Sequence, residues 1–255
     1  MTTGAKEHLM MKIMRFVVLC LTAMLAVAGT ASSASAGELL FKATTGNVVG
    51  GGFGILAGLT FLKTLGGSEV HCKHVDNHGK FTSTTLGEVL ILFLGCSTNV
   101  FGSSVKCHNS GTEDIHLPLT TTLFRLGLAH DGSNTSIPAV DILLDKAVSF
   151  KCSIGTITVS GGAVGALEAP LGTQEPLNTP EKEVSLVYKE SSAGMQLLTE
   201  FLMPGAGLVN QHLTWIVENG LGGKETIESA ETLTGTLSNF TNNTGAATEI
   251  ELVEP

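Results

Sequence analysis

Ala147-Val148-Ser149-Phe150-Lys151-Cys152-Ser153-Ile154-Gly155-Thr156-Ile157-Thr158-Val159-Ser160 contains the fold in miniature. Successive side chains point to opposite faces of a strand. Phe150 and Cys152 therefore share a face, and beyond the connection Ile157 and Val159 turn inward while Thr156, Thr158 and Ser160 turn their hydroxyls outward. Ser153 to Gly155 leaves room only for a tight turn, so the stretch reads as a β-hairpin with a cysteine on its buried face.

The other cysteines that follow residue 36 repeat the arrangement. Val70 matches Cys72 in parity, Leu94 matches Cys96, and Val105 matches Cys107, so all four sulfurs are expected to face the core. Four cysteines allow three pairings, and sequence alone does not choose among them. The expected pairing is Cys72 with Cys96 and Cys107 with Cys152, each bridge adding about 3 to 4 kcal/mol in the chain-entropy account. No C-x2-C or C-x4-C spacing supports a structural zinc site.

Outward from the hairpin, strand signals recur at short intervals with Gly, Asn and Ser between them. Glu69 to Val75 alternates, and Val89 to Leu94 is apolar throughout, as in a strand covered on both faces. Ile115, Leu117 and Leu119 share one parity while Phe124, Leu126 and Leu128 share the other, which predicts a bulge near Leu123. Val184, Leu186 and Tyr188 share a face, as do Leu233, Gly235 and Leu237, and Ile250 and Leu252 face inward between acids. Asn242-Asn243-Thr244-Gly245 is a turn joining the last two strands. Met195, Leu198 and Leu202 recur at helical spacing, so a short helix is the alternative there. The reading is all-β, an antiparallel sandwich or barrel-like domain stapled by two disulfides. Residues 37–170 form the disulfide-bonded region, 171–182 a Pro-rich joint, and 183–255 an acidic β region that completes the same fold.

The first 36 residues read as a signal peptide. Lys6, Lys12 and Arg15 precede an apolar run from Phe16 to Val27, and Ala34-Ser35-Ala36 forms a small-residue cleavage site. The run is shorter than the roughly 20 residues of a spanning helix. Export places the cysteines in an oxidising compartment. The chain carries 14 Lys+Arg against 23 Asp+Glu, a net charge of −9. Arg125 is the only arginine after the leader, and from Glu168 onward 13 acids face three lysines. Such a balance argues against nucleic acid, and no D-x-[DN]-x-[DN]-G run supports calcium.

Chemical signals are sparse. His71, His74 and His78 surround Cys72, and His108 follows Cys107; imidazoles from the two segments could meet as a zinc or copper site. Against this, Asp76-Asn77-His78-Gly79 reads as a turn, and exposed polar residues are the plainer reading. Asp141 and Asp145 could serve glycoside chemistry, or simply keep a strand edge soluble around Ile142-Leu143-Leu144. No G-x-S-x-G nucleophile motif is present. Trp215 and Tyr188 are the residues on which a sugar-stacking platform could centre. Gly46, Gly50, Gly54 and Gly58 recur every fourth residue in the uncharged segment 44–62. On a helix that spacing would form a packing stripe in a membrane; in a β protein it marks turns and close backbone approach. Gly52-Phe53-Gly54-Ile55-Leu56-Ala57 fits G-x-G-x-x-A without the βαβ context a dinucleotide site needs.

Gly67-Ser68-Glu69-Val70-His71-Cys72, then Gly87 through Phe93 to Gly95-Cys96, Val105-Lys106-Cys107, Phe150-Lys151-Cys152 and Gly161-Gly162-Ala163-Val164-Gly165 together resemble a group of uncharacterised secreted actinobacterial proteins. Their pattern runs G-G-S-x-V-x-C, F-x-G-C, a third cysteine, F-x-C and G-x-V-x-G. The likeness covers roughly Thr60 to Leu167 and implies strands for Leu59 to Cys72. It brings no assigned activity and so no catalytic or binding residue.

The expectation is a secreted or cell-envelope β-rich structural or binding protein of bacterial origin. Its partner is an unknown extracellular or cell-wall ligand, and no cofactor is expected. A secreted hydrolase acting on carbohydrate, and membrane insertion through segment 44–62, are the alternatives.

Overall fold

The structure, a computed structural model, describes residues 39–64, 67–109, 114–118, 122–130, 136–152, 155–168, 179–191, 195–203, 207–218 and 224–254. The expected leader at 1–36 and most of the joint at 171–182 lie outside them. Glu38–Pro255 is one compact unit.

The chain is all-β. After β1 (Leu40–Ala43) it builds a wall of antiparallel staves, several of them broken partway along. The first stave is β2 (Gly52–Ala57) with β3 (Thr60–Thr64), and the second is β4 (Glu69–Cys72) with β5 (His74–Phe81). The third is β6 (Leu86–Leu94) with β7 (Ser97–Val100), and the fourth is β8 (Ser103–His108), β9 (Ile115–Leu117) and β10 (Thr122–His130). β11 (Ser136–Cys152) and β12 (Gly155–Glu168) run unbroken as the fifth and sixth. The seventh begins as β13 (Val184–Tyr188), leaves the wall for the hairpin of β14 (Glu200–Met203) and β15 (Gly207–Asn210), and resumes as β16 (Leu213–Glu218). β17 (Lys224–Ser238) is the eighth, and β18 (Ile250–Val253) ends the chain by pairing with β1.

Each stave pairs with the next, and β17 pairs back onto β2 and β3. The described strands thus close into an eight-stave up-and-down barrel, which settles sandwich against barrel. Closure removes the open sheet edges that invite aggregation. Large apolar side chains face in, and charged side chains stand on the outer face beside exposed Leu56, Leu59 and Leu86. His74, His78, Lys80, Glu88 and Lys151 are exposed on the outer face. No helix among the described residues is long and apolar enough to cross a membrane. Segment 44–62 forms β2 and β3, with Phe53, Ile55 and Ala57 buried inside, so its glycines do not line up as a helical stripe.

Neighbouring staves break at matching levels: Gly58–Leu59, Lys73, Gly95–Cys96, between β8 and β10, and the register shift between Leu144 and Val148. These breaks form a belt around the barrel. Inward parity changes across it, from Ile55 to Thr60, from Cys72 to Val75, from Ile91 to Cys96. Extra residues of this kind bend a strand and increase its twist, as a tightly coiled sheet requires. The parity change after Leu117 belongs to the same belt and falls between β9 and β10, ahead of Leu123 where a bulge was expected. Val89 to Leu94 is covered on one face only: Val89 and Ile91 are buried, and Leu90, Leu92 and Leu94 are partly exposed outside. Continuous apolarity here does not mark a two-sided strand.

Both expected disulfides form, Cys72–Cys96 and Cys107–Cys152. Each joins neighbouring staves, and all four cysteines are buried. On one side of the belt the barrel is filled by Phe53, Phe81 and Phe124, onto which Phe41 of β1 descends as a plug. Ring centroids lie 4.7–6.2 Å apart, the range of favourable aromatic packing. Gly79 makes this possible, because a Cβ there would lie 2.0 Å from the Phe53 ring. Asp76-Asn77-His78-Gly79 is accordingly strand rather than turn, and Gly79 serves packing. The turn at Asn242 does form: its Oδ1 accepts hydrogen bonds from Thr244 N, Thr244 Oγ1 and Ala246 N at 3.0, 2.7 and 3.2 Å. No helix forms at Met195 to Leu202; Leu198 and Phe201 pack instead on the outside of the wall.

A candidate apolar cavity at the belt

Beyond the aromatic plug the barrel is not full. A cavity of about 70 Å³ lies at belt level, lined by Thr60, Leu62, Val70, Cys72, Ile91, Phe93, Ile115, Leu117, Ile142, Leu144, Val148, Phe150, Val159, Ala163 and Leu213. Among the described residues, seven of the eight staves contribute. The lining is almost wholly apolar for a local reason at each stave. The alternation that turns hydroxyls outward leaves Leu, Ile, Val and Phe inward, and the cysteine in the lining is bound as cystine. Thr60 supplies a hydroxyl, which is already engaged, donating to the Thr232 carbonyl at 3.0 Å. The space lies where neighbouring staves break and where β12 offers the small side chain of Ala163.

Eight strands is the size at which a barrel either fills with side chains or holds one small ligand. A water needs roughly 10–15 Å³ on this measure and several polar partners. The cavity has the volume, and its described lining offers few such partners, so its chemistry suits hydrocarbon.

The other candidate residues are dispersed. His71 lies against Ser97, Nε2 to Oγ 2.9 Å, with Glu69 3.9 Å from its Nδ1. His78 lies 3.7 Å from Asp76. His74 and His78 share the outer face of β5, contrary to the turn reading, yet no group of three metal-ligating side chains forms among the described residues. Trp215 and Tyr188 are buried inside the barrel, so neither offers a sugar-stacking platform. The expected carboxylate pair separates: Asp145 is exposed, while Asp141 is fully buried.

Asp141 marks a second feature, on the outside of the wall. It sits opposite Arg125 in the β10–β11 register, and Arg125 Nε donates to its Oδ2 at 2.8 Å while Nη2 contacts the same oxygen. Its Oδ1 has no hydrogen-bond partner among the described residues. Burial pushes the carboxyl up to about 6 against the opposing pull of Arg125. An aspartate expected to keep a strand edge soluble is buried because the excursion of the seventh stave covers it. Nothing in the local sequence signals this, since the covering residues follow some 60 positions later.

The cavity residues were legible as core but not as lining. The signal that could have found them is Gly161-Gly162-Ala163-Val164-Gly165, a strand segment too small to fill its share of an interior. The chain matches no family model, no curated protein and no solved structure.

Proposed function

We propose that the chain is an exported binding protein whose barrel holds a small apolar molecule, or the apolar end of a longer one, at the belt. The observation that carries this reading is a hydrocarbon-lined cavity inside a closed eight-stave barrel. Two buried cystines beside the cavity suit an oxidising compartment, in keeping with the expected export.

The test uses Trp215, the chain's one tryptophan, which is fully buried and stands in register with the lining residue Val159. Its emission is followed while the protein is titrated with straight-chain alcohols of increasing length and with indole-free aromatics such as toluene. Each methylene taken out of water contributes about 0.8 kcal/mol, so affinity should climb with chain length and level off once the cavity is full. Ala163→Leu, which fills the space, should weaken binding at least tenfold. Absence of saturable binding by any probe, or undiminished binding by Ala163→Leu, would refute the proposal.

A further inference from the structure

The seventh stave is interrupted at the level of the cavity. β13 pairs with β12 over residues 166–168 and β16 pairs with it over 156–161. Residues 162–165 between them, still paired with β11, have no strand partner among the described residues on the side of the seventh stave apart from one bond from Gly162 N to the His212 carbonyl at 3.2 Å. On the other side, β17 pairs over 233–237 and 224–229, which leaves 230–232 likewise without a strand neighbour there. Ala163 and Leu213, which line the cavity, stand at the border of this gap.

The excursion (residues 189–191, 195–203 and 207–212) covers the gap from outside as a strap. Its root is tied by Lys63–Glu190 at 2.7 Å and Lys189–Glu168 at 3.9 Å. Its far end adds β14 to β10 over only three residue pairs, with Leu198 and Phe201 packed on Ala129, Ala139 and Val164. Beneath it Asp141 Oδ1 and Gln211 Oε1 both crowd Gly162, each 2.7 Å from where a Cβ would stand. Asp141 Oδ1, Glu190 Oε2, Ser191 Oγ and Thr232 Oγ1, on or bordering the strap and the gap, are buried without hydrogen-bond partners among the described residues.

We infer that the strap is the door of the cavity: it swings off β10 to open the gap between β12 and β17, and a ligand passes sideways through the wall. This rests on the cavity reading above. Closure withdraws several polar atoms from water with nothing in exchange, and each such atom is costly. Leu198 and Phe201 hold the door shut by burial. Opposed contributions of this kind give an element with two accessible positions, whereas the aromatic plug, which has none of these liabilities, stays closed.

The experiment reads the door without a ligand. Ala163→Cys places a thiol in the lumen, and its rate of modification by methyl methanethiolsulfonate reports access. A second protein adds His130→Cys and Glu200→Cys, a register pair of β10 and β14, oxidised to staple the strap down. We expect the staple to slow modification at least tenfold and Phe201→Ala, without the staple, to speed it at least tenfold. An unchanged rate in the stapled protein overturns the door whether or not any apolar probe binds. Failure of the alcohol titration with a staple-sensitive thiol would overturn the cavity reading alone.

Discussion

Replacing Asp141 with Asn should remove a specific slope from the stability–pH curve. Asp141 is ordinarily half-protonated at pH 3.8; in the fold, burial beneath the strap raises this to about 6 although Arg125 opposes it. The folded protein therefore holds a proton that the unfolded chain has released between about pH 4 and 6. Stability must then fall as pH rises through that window, by about 1.4 kcal/mol per pH unit and roughly 3 kcal/mol in all. Above about pH 6 both states are ionised and the contribution is flat. Acidification strengthens the fold at this site, opposite to the usual carboxylate. The assay is urea unfolding followed by Trp215 emission at intervals from pH 3.5 to 8, for the parent and Asp141→Asn. The difference between the two curves isolates the residue. Curves that run parallel from pH 4 to 6, or a parent that gains on Asp141→Asn as pH rises, would refute the reasoning.

The two disulfides should differ slightly in worth. Cys107–Cys152 spans 45 residues and Cys72–Cys96 spans 24, so Cys→Ser pairs should lower unfolding free energy by about 4 and about 3.5 kcal/mol respectively, read by the same urea titration. Phe101 caps the β7–β8 hairpin with a φ of 47° and a fully exposed ring. Asn suits that backbone and Phe does not, so Phe101→Asn should raise the thermal midpoint by a few degrees, as about 1 kcal/mol implies. A fall in the midpoint would mean that the ring supports the turn in some way.

What the sequence disclosed depended on whether the governing contacts were local. Parity placed Cys72, Cys107 and Cys152 on the buried face because alternation is a property of one strand, and the β11–β12 hairpin was visible because its turn is short; Cys96 is buried only because inward parity changes at Gly95, which leaves its expected companion Leu94 outside. The same argument misread Gly79, whose neighbour Phe53 lies on another stave, and Asp141, which is buried by a strap much later in the chain. It also took apolarity from Val89 to Leu94 for coverage on both faces. Sandwich and barrel share one strand rhythm, and what separates them here is the pairing of β17 with β2 and β3, a contact between the two ends of the meander. The cavity was hidden for a related reason: an unfilled volume belongs to seven staves at once and to no segment.

The belt links these features physically. The breaks at Gly58, Lys73, Gly95 and after Leu117 change which residue points inward, so side chains on their two sides cannot interdigitate as they do along an unbroken strand. Close packing is therefore hardest to reach at the kinks. The cystine Cys72–Cys96 bridges two of those kinks, at Lys73 and Gly95, and Cys72 lines the space. The only stave to leave the wall altogether among those described does so at the same level, between Tyr188 and Leu213. Filling the cavity by Ala163→Leu should therefore gain stability and lose probe binding together, and a variant that loses stability instead would show that the space at the kinks is already taken up by packing.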